Sequence, residues 1–188
     1  MRSLSFILWL TAILVLISPA LSVPYSEYIL APASRTLYPV SVHKVNGSVD
    51  NAPSLTKDKG STTFHGKSAV TFDFGKNIAG IVSLDIGKTS DESQFVGVTF
   101  SESSLWISGE ASDATADAGL DEPLWFHVTK SGKYSASKEH LRGGFRYLSL
   151  VHNSTGSVEV KSLSIYFTAV PHLPDNALRG YSGYYHCE

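Results

Sequence analysis

Acidic residues crowd one short stretch of this 188-residue chain, where Glu110, Asp113, Asp117, Asp121 and Glu122 fall between positions 110 and 122. Two carboxylates, one protonated and one ionised, held roughly 5–10 Å apart, are the working groups of glycosidic bond hydrolysis. That chemistry needs a rigid frame and tuned pKa values. These acids sit among Ala, Gly and Ser, so a solvated acidic loop is expected and no catalytic residue is assigned. A calcium site is the alternative, because hard oxygen ligands concentrate there, although the spacing does not match an EF-hand. The seven histidines, His43, His65, His127, His140, His152, His172 and His186, show no metal-ligand spacing, so no metal and no cofactor are expected. A Gly-x-Ser-x-Gly elbow, which would support esterase chemistry, is absent from the sequence.

Trp106, Trp125 and Tyr134 are the candidates for carbohydrate contact, since the C–H face of a pyranose stacks on a flat aromatic ring. Trp125 alternates against Leu124 and Phe126 and is expected to point outward. The competing reading of all three is packing under a loop or against a neighbouring domain. Arg146 lies in an otherwise apolar run, where a guanidinium needs a carboxylate to offset its desolvation. Glu102, just past the 96–100 segment, is the expected partner, in a structural ion pair that sets strand register.

The elements that must position these residues are strands. Val70, Phe72 and Phe74 alternate with polar neighbours, and so do Val82, Leu84 and Ile86. The pattern recurs at Val96, Val98 and Phe100, at Leu124, Phe126 and Val128, and at Leu163, Ile165 and Phe167. Residues 145–151 are apolar on both phases, as in a strand covered on both faces. Period-two alternation broken by Gly, Asn, Asp and Ser clusters predicts an all-β antiparallel β-sandwich, jelly-roll-like. Residues 23–50 alternate less cleanly and suit an edge strand or strap. Residues 51–60 read as a polar loop, and 108–122 as the longest irregular stretch, of the kind that is mobile or functional.

Residues 1–22 carry a positive Arg2, an apolar run and small residues at the end, which predicts a cleaved signal peptide and a secreted, extracellular protein. That run is shorter than the roughly 20 residues a bilayer span needs, so no membrane association is expected after cleavage. The net charge is −2 with scattered basic residues, which argues against a nucleic-acid partner. Asn46-Gly47-Ser48 and Asn153-Ser154-Thr155 are N-glycosylation sequons, marking Asn46 and Asn153 as acceptors. The one cysteine, Cys187, leaves the domain without an internal disulfide and offers a route to cross-linked self-association.

Four segments carry a family likeness: 71–80 (TFDFGKNIAG), 97–104 (GVTFSESS), 139–150 (EHLRGGFRYLSL) and 167–174 (FTAVPHLP). With the tyrosine-rich 181–186 (YSGYYH), they resemble the α-L-rhamnosidase-type glycoside hydrolases of fungi and bacteria, over roughly 32–186. The resemblance implies a β-sandwich at 23–170, and 171–188 as a linker or the start of a catalytic (α/α)-barrel that this chain does not include. The family's catalytic acids lie on that barrel, so a non-catalytic supporting module, inactive alone, is the implied function. A stand-alone carbohydrate-binding module is the alternative. On either reading, deleting the chain from Pro174 onward is expected to leave the sandwich folded.

Overall fold

A computed structural model of the chain describes residues 28–56, 60–112 and 122–180, in which the alternating segments become eight strands. They are β1 (Thr36–Leu37), β2 (Ser41–Asp50), β3 (Thr62–Thr89), β4 (Phe95–Ser101), β5 (Leu124–His127), β6 (Gly132–Ser135), β7 (Arg142–His152) and β8 (Ser157–Phe167). Every strand pairing is antiparallel. Among the described residues helix is confined to short 3-10 turns, and no helix is long and apolar enough to cross a membrane. The expectations for 1–22, 181–186, Asp113, Asp117, Asp121 and Cys187 lie outside the described residues.

The sheet folds over because β3 is long and changes partners along its length. Its first half pairs with β2 and β7, and its second half with β8 and β6, while its first residues, Thr62–His65, also pair with β8. One layer therefore runs β2–β3–β7–β4–β5 and the other β6–β3–β8–β1. The inward phase of the sequence pattern fills the space between them. Val70, Phe72, Leu84, Ile86, Val98, Phe145, Leu148, Leu150, Leu163 and Ile165 are all fully buried. Phe145 sits edge-on to both Phe74 and Phe100, with ring centroids 5.8 and 4.9 Å away. The expected all-β antiparallel sandwich is the observed fold.

Two stretches differ from the reading of the sequence. Residues 52–56, read as polar loop, form a 3-10 turn that drives Ala52 and Leu55 into the core, at 4% and 1% exposure. The compact unit runs from Pro32 to Leu178, past the boundary expected at 170. The reason is Arg35, which is 6% exposed and uses all five of its donors on the end of β8 and the segment after it. Its Nη1 donates to the carbonyls of Phe167 (3.0 Å) and Ala169 (3.1 Å), its Nη2 to those of Val170 (3.2 Å) and Leu173 (2.8 Å), and its Nε to Asp175. Leu178, 1% exposed, then joins the core cluster. Residues 174–178 thus belong to the same compact unit as the sandwich. The remaining described residues, 28–31 and 179–180, belong to a second small unit in which Arg179 donates to the Ile29 carbonyl at 3.3 Å.

Candidate functional site

Ladder partners in an antiparallel sheet present their side chains on the same face. The register links Asn46 to Ala69, Ala69 to Val151, Val151 to Gly97, and Gly97 to Trp125. Val70, Leu150, Val98 and Phe126 are buried on the inner phase, so this row crosses the outer face of the first layer. Ala69 and Gly97 are small, which hollows the row at its middle. The Trp125 indole lies over Gly97, so closely that a Cβ there would come within 2.7 Å of the ring. Trp125 remains 39% exposed.

The outcome is a groove of about 670 Å3, floored by Ala69 and Val151 and ended by Trp125 and Pro123. Ligand pockets for small molecules commonly span ~300–1,000 Å3. Around the apolar floor stand groups able to hydrogen-bond hydroxyls: the amides of Asn46 and Asn153, the Lys67 ammonium and the Glu110 carboxylate. Asn46, Lys67, Glu110 and Asn153 are exposed. A smaller hollow of about 210 Å3 adjoins it, sharing Asn46, Ala69 and Gly109 and extending to His43 and Ser104.

Residues 103–112 lie across the middle of this face. Thr99 donates its hydroxyl to the Ser108 carbonyl, and Ser112 Oγ accepts from the Phe100 N–H at 3.1 Å. Beneath, Thr71 and Ser149 bond to each other at 2.7 Å and are each 4% exposed. The strand expected to be covered on both faces is so covered, by core on one side and by this crossing segment on the other.

His152 backs the groove and is 1% exposed. Its Nδ1 lies 2.7 Å from the Gly66 carbonyl oxygen, and its Nε2 lies 2.8 Å from both Ser154 Oγ and Gln94 Oε1. Burial pushes the imidazole below its ordinary pKa, partly opposed by the Gly66 bond and the charge of Asp91. Asp91 holds Gln94 in turn, accepting from its Nε2 at 2.7 Å and from the Ser93 N–H at 2.8 Å. Bonds from the Ser93 hydroxyl, then from Gln94, hold the Asp91 carboxyl far below the usual carboxylate range. The groove edge is therefore braced by a network tying β7 to the turn before β4.

The three aromatic candidates do not converge. Trp106 is 68% exposed on the 3-10 turn Ser104–Trp106, beside an equally open Leu105, and lines neither hollow. Tyr134 sits on β6 in the other layer, packed against the core. Its hydroxyl donates to the Lys130 carbonyl at 2.8 Å and accepts from the Lys130 N–H at 3.3 Å, which closes a turn. Only Trp125 of the three stands in the groove. Asn46 and Asn153, singled out as glycan acceptors, line it with Trp125. Alternation in the sequence placed Trp125 outward, but the cross-strand row was not readable, because it joins residues 46, 69, 151, 97 and 125 through four strand registers.

Arg146 does find a carboxylate, but it is Asp73 and not the expected Glu102. Its Nε and Nη2 donate to the two Asp73 oxygens, each at 2.9 Å. The β3–β7 register is interrupted between Asp73 and Ile78, where β3 takes five steps against two on β7, and Arg146 lies at this irregularity. Asp73 is the ladder partner of Tyr147 and so meets the guanidinium. The Arg146 bonds, with the Gly75 N–H, hold the Asp73 carboxyl below its ordinary pKa despite partial burial. The Glu102 side chain instead lies over Gly144, where any Cβ would strike its Oε1.

A second trough, of about 710 Å3, crosses the outer face of the other layer over Ser83, Ser162 and Ser164. Exposed Asp85, Lys133 and Lys161 line it with the exposed ring of Tyr166, while two others of its polar groups are bonded to neighbours. Ser83 bonds to Ser135 at 2.7 Å, and Glu159 accepts from the Lys88 N–H at 3.0 Å. Arg35 lies over the Tyr166 ring, 6.0 Å from its centroid, whereas the Trp125 indole ends an apolar floor rimmed by exposed amide and charged groups, and the Trp125 groove is the stronger candidate.

No protein-family profile and no curated protein sequence matches the chain. Solved structures with a similar arrangement include a rhamnosidase from Klebsiella oxytoca with rhamnose bound, at 15% identity and a TM-score of 0.49 over 76% of this chain. This chain spans 30% of that enzyme's length. A CBM32 of AlyQ in complex with 4,5-unsaturated mannuronic acid is similar at 13% identity and a TM-score of 0.46, over 70% of this chain and 97% of the module. CpGH89CBM32-6 produced by Clostridium perfringens is similar at 17% identity and a TM-score of 0.46, over 71% of this chain and 94% of that one.

Proposed function

We propose that this chain is a secreted carbohydrate-binding β-sandwich whose binding site is the groove ended by Trp125. The carrying observation is the Trp125 indole, laid over Gly97 and still open, at the end of an apolar floor rimmed by amide, ammonium and carboxylate groups. An apolar platform takes the C–H face of a sugar ring while the rim exchanges hydrogen bonds with its hydroxyls. Among the described residues Glu110 is the carboxylate on the groove's rim, and an apolar floor with such a rim suits saccharide binding. Titration calorimetry against a panel of neutral and acidic oligosaccharides tests this. Trp125→Ala should lower the affinity of any ligand found by about tenfold or more, the usual consequence of losing a central aromatic anchor. Trp106→Ala should not. A panel with no binder, or a binder indifferent to Trp125→Ala, refutes the reading.

A second reading keeps the sequence resemblance at full strength: a supporting module of an α-L-rhamnosidase-type enzyme, with the barrel docking on the sandwich. Leu105 and Trp106, adjacent and 83% and 68% exposed, are the apolar pair that such a neighbour would cover. Loss of affinity for a separately produced barrel domain in a Leu105→Ser, Trp106→Ser variant supports it, and unchanged affinity argues against it.

A further inference from the structure

We infer that N-linked glycans on Asn46 and Asn153 lie in the Trp125 groove and occlude it, so that glycosylation sets whether the groove is open to outside saccharide. The inference rests on the carbohydrate reading of that groove and on the secretory route expected from residues 1–22. Both acceptor asparagines of the chain's sequons line this one groove, and both are exposed. Asn46 stands at the far end of the row that finishes at Trp125, four strand steps away, or about 19 Å at the ~4.8 Å spacing of paired strands. Asn153 follows His152 at the end of β7, on the groove's other border. The hydroxyl residues that complete the sequons, Ser48 and Thr155, are also exposed but line no part of the groove. A bulge at Gly47, with φ of +75°, separates Ser48 from Asn46 in the ladder.

The modification itself is ordinary secretory chemistry. The asparagine amide nitrogen bonds to the anomeric carbon of a lipid-diphosphate-linked oligosaccharide. The anomeric C–O bond breaks with its electron pair leaving on the diphosphate, and one amide proton is lost. The first sugars on Asn46 then have a ready surface, the floor at Ala69 and Val151 leading to the indole. A tethered ligand experiences an effective concentration of millimolar order and needs no translational entropy to rebind. It therefore holds the groove against free saccharide of comparable intrinsic affinity.

The test uses the full chain secreted from a glycosylating host, alongside Ser48→Ala, Thr155→Ala and the double variant, which remove the sequons and leave both asparagines in place. Intact mass gives site occupancy, and oxidation by N-bromosuccinimide, mapped by peptide, gives the accessibility of Trp125. Trp106, open and outside the groove, is the internal standard. The expected result is occupancy at one or both sites, with Trp125 oxidised several-fold faster in the double variant and Trp106 unchanged. Enzymatic removal of the glycan from the parent chain should reproduce that gain, which covers the case of a poorly folding variant. Affinity for any ligand found by calorimetry should rise at least about tenfold on removal. Empty sequons, or glycans that leave Trp125 oxidation unchanged, overturn the inference. Shielding is read without free sugar, so failure of the groove to bind saccharide registers separately.

Discussion

Replacing Arg35 with methionine keeps a long unbranched side chain in the same slot and removes all five donors that hold the end of β8 and the segment after it. The ion pair with Asp175 contributes little to the cost, because that carboxylate is 72% exposed and such pairs are worth about 0–1 kcal/mol. The cost lies in the four carbonyls. The Phe167 bond is buried, and an orphaned buried acceptor costs about 1–3 kcal/mol. The bonds to Ala169, Val170 and Leu173 are partly buried and contribute the net value of an ordinary bond, about 0.5–1.5 kcal/mol each. The total is roughly 2.5–7.5 kcal/mol. Set against a typical stability of about 5–15 kcal/mol, that is a large share. At ~2–4 °C per kcal/mol for a domain of this size, Tm should fall by about 10 °C. Urea unfolding followed by far-ultraviolet circular dichroism measures it, with Asp175→Asn as the control, expected to lose less than ~1 kcal/mol. Arg35→Lys should behave more like methionine than arginine, since one ammonium cannot replace a planar fork of five donors. An Arg35→Met variant within ~1 kcal/mol of the parent refutes the account. Equal losses for Arg35→Met and Asp175→Asn would place the energy in the ion pair and refute it too.

Three further outcomes follow from the same structure. Leu178→Ala should destabilise by about 2–5 kcal/mol as a buried leucine truncation, and a chain ending at Leu173 should melt well below the parent; an unchanged melt in both would put the tail outside the core. Asp73 has its folded pKa held down by Arg146 and Gly75, so the unfolded chain binds its proton first on acidification. The stability this contributes is complete above about pH 4 and is lost as pH falls through the folded pKa. Asp73→Asn should flatten the acid limb of Tm against pH, and an unaltered limb would refute that assignment. The chain alone should release no product from an aryl α-L-rhamnoside, and turnover abolished by a single Asp or Glu substitution would overturn the non-catalytic reading.

Within the alternating segments, whether a residue faces the core or the solvent was determined by the sequence alone. Strand side chains alternate with a period of two, so each of the segments around Val70, Val82, Val96, Phe126 and Leu163 declares its inward phase locally. Those phases agree with the buried residues of the fold, and they placed Trp125 on the outside. What the alternation does not encode is which strand lies beside which, or in what register. Arg146 is the plain case: a guanidinium in an apolar run asks for a carboxylate, but Glu102 and Asp73 are equally eligible until the β3–β7 register sets Arg146 beside Asp73. Arg35 gave no local sign of its role, because four of its five acceptors are backbone carbonyls, which every residue possesses. Leu55 and Leu178 sit in segments too short to show a period, so only the closed core reveals that they complete it. The groove belongs to the same class. Asn46, Ala69, Gly97, Trp125 and Val151 come from five strands, and a pocket assembled across a sheet exists only once the registers of those strands are set.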